Sequence, residues 1–320
     1  MRTHEESTRA SLRLEFPVCT PDKRLQMPAG TVLSSRNLNG IISANRAASQ
    51  TNRPLFKHAT IKRDLLHQLK RPPYDLIFSK APRVREVISM LENFQLPVQV
   101  LEMLDCFKTA NYYTYCHLLR VFTLSALIAR QLLPDDRQWL SFVSTGPTHD
   151  IGKICVPLHL LKKETPLTRA ERSNLDHHTT AGYVLLSCFY QDQRHLATIV
   201  ARDHHERRDG SGIPRGIQLR PIMVETVIVC DIYDALISSR SYRPDPYDNR
   251  TALEEITGLA EMRKIGWKAV RALVALNRKI RPRDGDITLS IEKRGTPPAR
   301  NCYGVFANGE NDGTWVEKFS

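Results

Sequence analysis

Between residues 84 and 280 apolar side chains recur at helical spacing and nowhere sustain the alternation of a half-buried strand, which confines this stretch to an α-helical fold. The most demanding piece is CHLLRVFTLSALIARQLL, Cys116–Leu133, whose apolar residues cover most of the helical circumference and stop at Pro134. A helix that is apolar nearly all round must be enclosed by protein, so it belongs inside a bundle. Val84, Val87, Ile88 and Leu91 predict a helix from about Arg83, with a break at Pro97, and Val98 to Phe107 predict another. Further helices are expected at about 136–145, 148–154, 168–188, 194–205, 221–239 and 248–278.

The two ends read differently. Residues 1–50 are rich in Ser, Thr, Arg and Asn, with short apolar pieces at Leu12, Leu14 and Phe16 and at Val32 and Leu33, the pattern of a weakly structured segment with one or two short strands. Near the other end DITLSIEKRG, 286–295, alternates like a strand, and NCYGVFANGENDG, 301–313, is turn-rich. The expected architecture is an all-α helical bundle with an irregular N-terminal segment and a small β-like C-terminal appendage. Its divisions are a weakly structured or small segment over 1–80, a helical domain over 81–280, and a strand- and turn-rich tail over 281–320.

Composition excludes several classes. At 41% hydrophobic and 25% charged over 320 residues, the chain can bury a substantial core and is not a disordered protein. Its formal net charge of +12 favours anionic partners such as nucleotides, although a basic surface with no partner fits the charge equally well. Seven cysteines, an odd number with no CxxC pair, argue against a disulfide framework or a zinc ribbon and fit a reducing cytoplasm. The first residues, MRTHEESTRASLRLEF, lack the apolar core of a signal peptide, and no run reaches the roughly 18 to 20 apolar residues that span a bilayer. A cytoplasmic location without a membrane partner is expected.

Chemistry-bearing residues punctuate the helical region. An isolated histidine such as His117 in an apolar helix is ordinarily a hydrogen-bonded core residue. Asp231 is harder to accommodate. In VETVIVCDIYDALISS it lies one turn after Val227 and Ile228 and one turn before Ala235, on the apolar stripe, where a carboxylate must be paired or bind a metal. HDIGK, His149–Lys153, sets an imidazole beside a carboxylate with a lysine one helical turn beyond His149. In DHHERRDGSGIP, 203–214, His204 and His205 are adjacent; helical neighbours point about 100° apart, so the pair could serve two different centres, while the plainer reading is a polar helix end running into a turn. Imidazole and carboxylate donors together suit Fe, Mn, Zn or Co, and a carboxylate can bridge two ions that act on a phosphate ester.

Over about 130 residues these pieces carry a resemblance. HLLRV (117–121), HDIGKICVP (149–157), LKKETPLTRAE (161–171), HTTAG (178–182), HHERRDGSGIP (204–214) and CDIYDALISSRSYRP (230–244) resemble, in order and spacing, the HD-GYP family of the HD phosphohydrolase superfamily. The resemblance implies a metal-dependent phosphodiesterase that opens cyclic di-GMP to a linear dinucleotide or to GMP in bacterial second-messenger signalling. Position by position, His117, His149, Asp150, His178, His204, His205 and Asp231 match the family's metal ligands, with Asp150 as the bridging, catalytically essential carboxylate. Lys153 matches its phosphate-contacting lysine. Arg240 and Arg243 match its basic residues facing the substrate phosphates, and Gly212 belongs to its signature loop beside the substrate. The implied cofactors are two divalent transition-metal ions, Fe or Mn first, then Zn, Co or Ni. The implied partner is a cyclic dinucleotide, with a homodimer or a signalling protein as further partners and no nucleic-acid polymer.

Departures from the family pattern are specific. Tyr113 stands where members with three metals have glutamate, which favours two ions. Ile213 replaces the tyrosine of the signature loop, and Gly146 and Pro147 precede Thr148 and His149 where an apolar helix usually runs. His177 precedes the matching position and is expected at the surface. No receiver or other sensory domain is recognisable upstream. Ile213 leaves room for a second reading, an HD-type phosphohydrolase for another cyclic nucleotide or phosphoester. With Gly146 and Pro147 it also leaves a third, a catalytically silent module that binds a nucleotide or a partner.

Overall fold

The structure, a computed structural model, describes residues 12–46, 51–79, 81–133, 135–240, 243–278, 292–299 and 307. In chain order the elements are β1 (Val18–Cys19), β2 (Leu25–Met27), α1 (Ser35–Ala44), β3 (Asn52–Pro54), α2 (Ile61–Leu69), α3 (Asp75–Phe78), α4 (Ala81–Leu91), β4 (Gln95–Pro97) and α5 (Val98–Ala110). They continue with α6 (Tyr112–Leu132), α7 (Asp136–Val143), α8 (Leu158–Leu161), α9 (Arg169–Asp176), α10 (His178–Tyr190), α11 (Leu196–Asp203), α12 (Ile222–Ile237), α13 (Asn249–Glu261) and α14 (Trp267–Asn277). The expected all-α bundle is therefore present.

Helix α6 is its axis. Asn111 caps it by accepting from the Thr114 N–H at 3.2 Å, and every residue from Thr114 to Ala129 is buried against α2, α5, α12 or α14 and their neighbours. Helix α10 is enclosed almost as completely and lies against α11 and a 3₁₀ turn at Ile151–Cys155. That last contact needs Gly152, because a Cβ there would overlap the His178 carbonyl oxygen and the Gly182 nitrogen.

Several expected helices are divided. The stretch 148–154 is a turn followed by the 3₁₀ segment, since Gly152 must press against α10 and Pro157 follows closely. The stretch 168–188 becomes α9 and α10 because the two halves meet different surroundings: α9 buries no residue, whereas α10 is buried from His178 to Phe189. Thr168 and Glu171 start α9 with reciprocal side-chain to backbone bonds. The stretch 248–278 breaks at Arg263, whose φ is 61°, and Gly266, which the Arg208 and Glu225 side chains approach too closely for a Cβ.

The N-terminal segment differs most from expectation. Residues 12–46 and 51–79 carry two helices of nine residues or more and pair twice as antiparallel strands, β1 with β2 and β3 with β4. Leu14, Val18, Met27, Leu38, Ile61, Leu65 and Leu69 join the same buried cluster as α6 and α10. Each such burial stabilises the fold by about 1.5–3 kcal/mol. Segments this short hold no structure by local propensity and form only when packed. His177, expected at the surface, is 5% exposed, because Phe16 of this segment packs edge-on over its ring at 5.5 Å between centroids.

At the other end, the alternating part of DITLSIEKRG over 286–291 and most of the turn-rich 301–313 lie outside the described residues. Residues 292–299 contain no strand. They lie along α13, where Lys293 meets Glu255 at 3.0 Å and the Gly295 N–H donates to Glu254 at 2.8 Å. Among the described residues no helix is long and apolar enough to cross a membrane.

Candidate metal centre

The elements converge on one place. His117 projects from α6, His149 and Asp150 from the turn before the 3₁₀ segment, His178 from the first turn of α10, His204 and His205 from the end of α11, and Asp231 from α12. Their donor atoms form two adjoining groups, His117, His149 and Asp231 in one and Asp150, His178, His204 and His205 in the other, each within 4.8 Å. His204 and His205, which could have served two centres, fall in one group. The chain turns after Asp203, so their rings lie 4.2 Å apart in the same group.

Asp150 joins the groups. Its Oδ2 is 3.3 Å from His117 Nε2 and 3.6 Å from His149 Nε2, while its Oδ1 is 3.3 Å from His178 Nε2 and 3.6 Å from His204 Nε2. The carboxylate is 2% exposed, yet Oδ1 has no hydrogen-bond partner among the described residues. A buried oxygen of this kind ordinarily has one, or a bound ion.

The tautomers point the same way. Nδ1 of His117 is 2.6 Å from Asp234, Nδ1 of His178 is 2.6 Å from the Leu175 carbonyl, and Nδ1 of His204 is 2.9 Å from the Ala201 carbonyl. Each acceptor holds a proton on Nδ1 and turns Nε2 inward. The inward nitrogens then confront one another, His117 and His149 at 3.1 Å, His178 and His204 at 3.3 Å. Facing lone pairs on His178 and His204 repel unless a cation accepts both, and at His117, whose ring is raised to about 9, an ion would take the place of the Nε2 proton. Two donors at about 2.1 Å from one ion and near a right angle stand about 3 Å apart, so the residues fit such ions.

Burial sets the charges of the histidines. It pulls His149 and His178 down to about 3 and His205 well below its ordinary value, so at neutral pH all three are neutral donors. For His117 burial acts in the same direction, but hydrogen bonds to Asp150, Asp231 and Asp234 outweigh it and raise the ring to about 9. Burial would raise Asp150, yet the adjacent Lys153 ammonium holds its carboxyl well below the usual carboxylate range.

A cavity of about 750 Å³, within the range that accommodates small ligands, opens onto Asp150, His178, His205 and Asp231. Lys153, Tyr113 and Arg240 line its wall. Lys153 Nζ reaches Asp150 Oδ2 at 2.5 Å, Tyr113 lies nearly parallel to His117 with 6.0 Å between centroids, and the Arg240 guanidinium sits 5.1 Å from the Tyr113 ring centre. Arg243 also borders the cavity but is only 3% exposed. Its guanidinium donates to the carbonyls of Ala235, Leu236 and Ser238, the last turn of α12, which ties it to the frame.

Gly212 and Ile213 are absent from the cavity wall. Gly212 instead packs on the backbone of residues 205–207, with no room for a Cβ, and the Ile213 N–H donates to the His205 carbonyl at 3.1 Å. The loop therefore braces the two histidines from behind. Gly212→Ala is expected to displace His205 and cost about 1–3 kcal/mol, as overpacking does. A thermal unfolding midpoint equal to that of the parent protein would contradict this.

Two residues escaped sequence reasoning. Asp234, fully buried on α12, holds His117, and Glu206, also fully buried, accepts from the Arg215 and Ile217 N–H groups at 2.7 and 3.0 Å and so closes the loop after His205. A signal for the first existed. Asp234 follows Asp231 by three residues, as Arg120 follows His117, which places each pair on one helix face.

Residues 83–266 match the family model of the HD domain. A cyclic di-GMP phosphodiesterase of Thermotoga maritima is 34% identical over 188 residues, 58% of this chain and 50% of that protein. A cyclic di-GMP phosphodiesterase response regulator of Xanthomonas campestris is 35% identical over 132 residues, 41% of this chain and 35% of that protein. A 3'3'-cGAMP-specific phosphodiesterase of Vibrio cholerae is 29% identical over 180 residues, 55% of this chain and 38% of that protein. The chain spans half or less of the length of these three curated relatives.

Proposed function

This chain belongs to the HD domain family, and from that premise we propose that it is a metal-dependent phosphodiesterase that opens cyclic di-GMP to a linear dinucleotide or GMP. The observation that carries the reading is Asp150, whose two oxygens each face a separate pair of imidazoles at the floor of a cavity lined by cationic side chains. His117, His149 and Asp231 would hold one ion and His178, His204 and His205 the other, with Asp150 between them. The donor set suits iron or manganese, with zinc, cobalt and nickel as competitors. Bound there, the two ions would supply Lewis acidity toward the phosphate and lower the pKa of water.

The chain's own residues do the rest. Lys153 and Arg240 place positive charge against the phosphate oxygens. Tyr113 fills the ground beside His117 where a third carboxylate would stand, which supports two ions. Arg243 holds the end of α12 and thereby the loop bearing Arg240, a positioning role. Because Ile213 and Gly212 stand off the cavity wall, the missing tyrosine does not argue for a changed substrate. Resemblance to a 3'3'-cGAMP-specific enzyme nevertheless makes that dinucleotide the second substrate to assay.

Purified protein loaded anaerobically with iron or manganese is expected to carry about two ions per chain and to convert cyclic di-GMP, read by elemental analysis and product chromatography. Turnover of 3'3'-cGAMP alone would shift the substrate. Nucleotide binding with no turnover of either, at full metal content, would replace the enzyme by a binding module.

A further inference from the structure

The metal ligand His117 is held by a chain of buried bonds that begins outside the HD domain match. Asp234 is fully buried and saturated. Its Oδ2 meets His117 Nδ1 at 2.6 Å and accepts from Arg120 at 3.0 Å, while its Oδ1 accepts from Arg120 Nε at 2.7 Å and from the Tyr74 hydroxyl at 2.5 Å. Tyr74 lies just before α3, 160 residues away in sequence and ahead of the matched span of 83–266. Arg120 is anchored from the same segment, donating to Gln68 of α2 at 3.1 Å, and its guanidinium sits 5.8 Å from the Tyr74 ring centre.

We propose that the N-terminal segment completes the metal centre: Tyr74, with Arg120, fixes the Asp234 carboxylate, and Asp234 fixes the tautomer and direction of His117. This rests on the reading of His117 as a metal ligand. An imidazole ring can rotate about its Cβ–Cγ bond and carry its proton on either nitrogen, and only a fixed acceptor at Nδ1 keeps Nε2 aimed at the ion. A carboxylate with one free oxygen could swing. Here the arginine fork and the phenol occupy both oxygens, so the acceptor stays in place. Asp234 and Tyr74 are thus positioning residues, neither of them on the cavity wall.

The effect should be confined to one ion. His117 belongs to the group with His149 and Asp231, whereas the other group takes its Nδ1 acceptors from the α9–α10 and α11 backbone. The test is chelator competition with Mn(II), resolving the two affinities, on the full chain carrying Tyr74→Phe, Asp234→Asn or His117→Ala. Metal-free unfolding is measured alongside. Asp234→Asn is expected to weaken one site about 10- to 100-fold, the range for losing an outer partner of a ligand, and Tyr74→Phe the same site by a smaller factor of about 3- to 10-fold. The second site should be unchanged in both. Tyr74→Phe that lowers the unfolding temperature but leaves both affinities as in the parent overturns the proposal, because a merely structural phenol would do just that. If His117→Ala also leaves both affinities intact, the reading of His117 as a ligand has failed. If it loses one site while Tyr74→Phe and Asp234→Asn lose none, only the present inference has.

Discussion

Asp150→Ala is expected to lose turnover and metal content in a single step. Among the described residues the carboxylate is the one group that addresses both sets of imidazoles, His117 and His149 through Oδ2 and His178 and His204 through Oδ1. Removing it deprives each ion of a charged oxygen and leaves two positive centres without the anion between them. The loss should exceed the 10- to 100-fold that follows from deleting an outer partner of a ligand. The fold should survive, because the surrounding core of α6, α10 and α12 is apolar and continuous. Elemental analysis, circular dichroism and product chromatography on one preparation make the check. Protein that keeps two ions and its turnover would show that another residue is the bridge.

Lys153→Ala should separate chemistry from metal binding. An ammonium has no lone pair and cannot be a ligand while protonated, so both ions should remain. Turnover should nevertheless fall about 10²- to 10³-fold, the usual scale for removing one preorganised electrostatic stabiliser. A plainer reading of the sequence makes Lys153 a surface residue at a helix C-terminus. The structure removes that option. Lys153 lies in a short 3₁₀ segment, its side chain is 14% exposed, and its Nζ contacts Asp150 at the cavity wall. Its position raises a different rival, that it serves only to hold Asp150. Loss of metal together with activity would favour that rival, and Lys153→Arg, which keeps the charge, should then restore the metal. Unchanged metal with turnover near that of the parent would remove Lys153 from the chemistry altogether.

The fold and the site are unevenly legible in the sequence, for a physical reason. Helix α6 was legible because its apolar spacing is a local property that any surroundings must respect. The seven candidate ligands were legible because few residue types can hold such ions, and their ordered spacing over 117–231 is specific. Asp234 was not picked out. A carboxylate three residues after Asp231 has many ways to be satisfied, and its partner Tyr74 is brought there only by the packing of α2 and α3 against α6 and α14.

His177 illustrates the same limit in reverse. Nothing next to it in the chain indicates burial, since the residue that covers it is Phe16. The place of Arg243 in SRSYRP implies a phosphate contact, whereas its side chain, at the border of the cavity, bonds the carbonyls at the end of α12. The signature loop implies a place for Gly212 beside the substrate, and in the fold it packs closely on the backbone of 205–207.

By itself the sequence determined the helical class, the candidate metal-binding side chains and the chemistry they are suited to, because periodicity and donor type are written one residue at a time. Only the tertiary structure decided how the candidate ligands group, which basic side chains are tied to the frame, and that parts of 12–46 and 51–79 belong to the same core. Those outcomes depend on bonds between residues up to 160 positions apart, formed where desolvation makes each unpaired polar group costly and so selects a single arrangement.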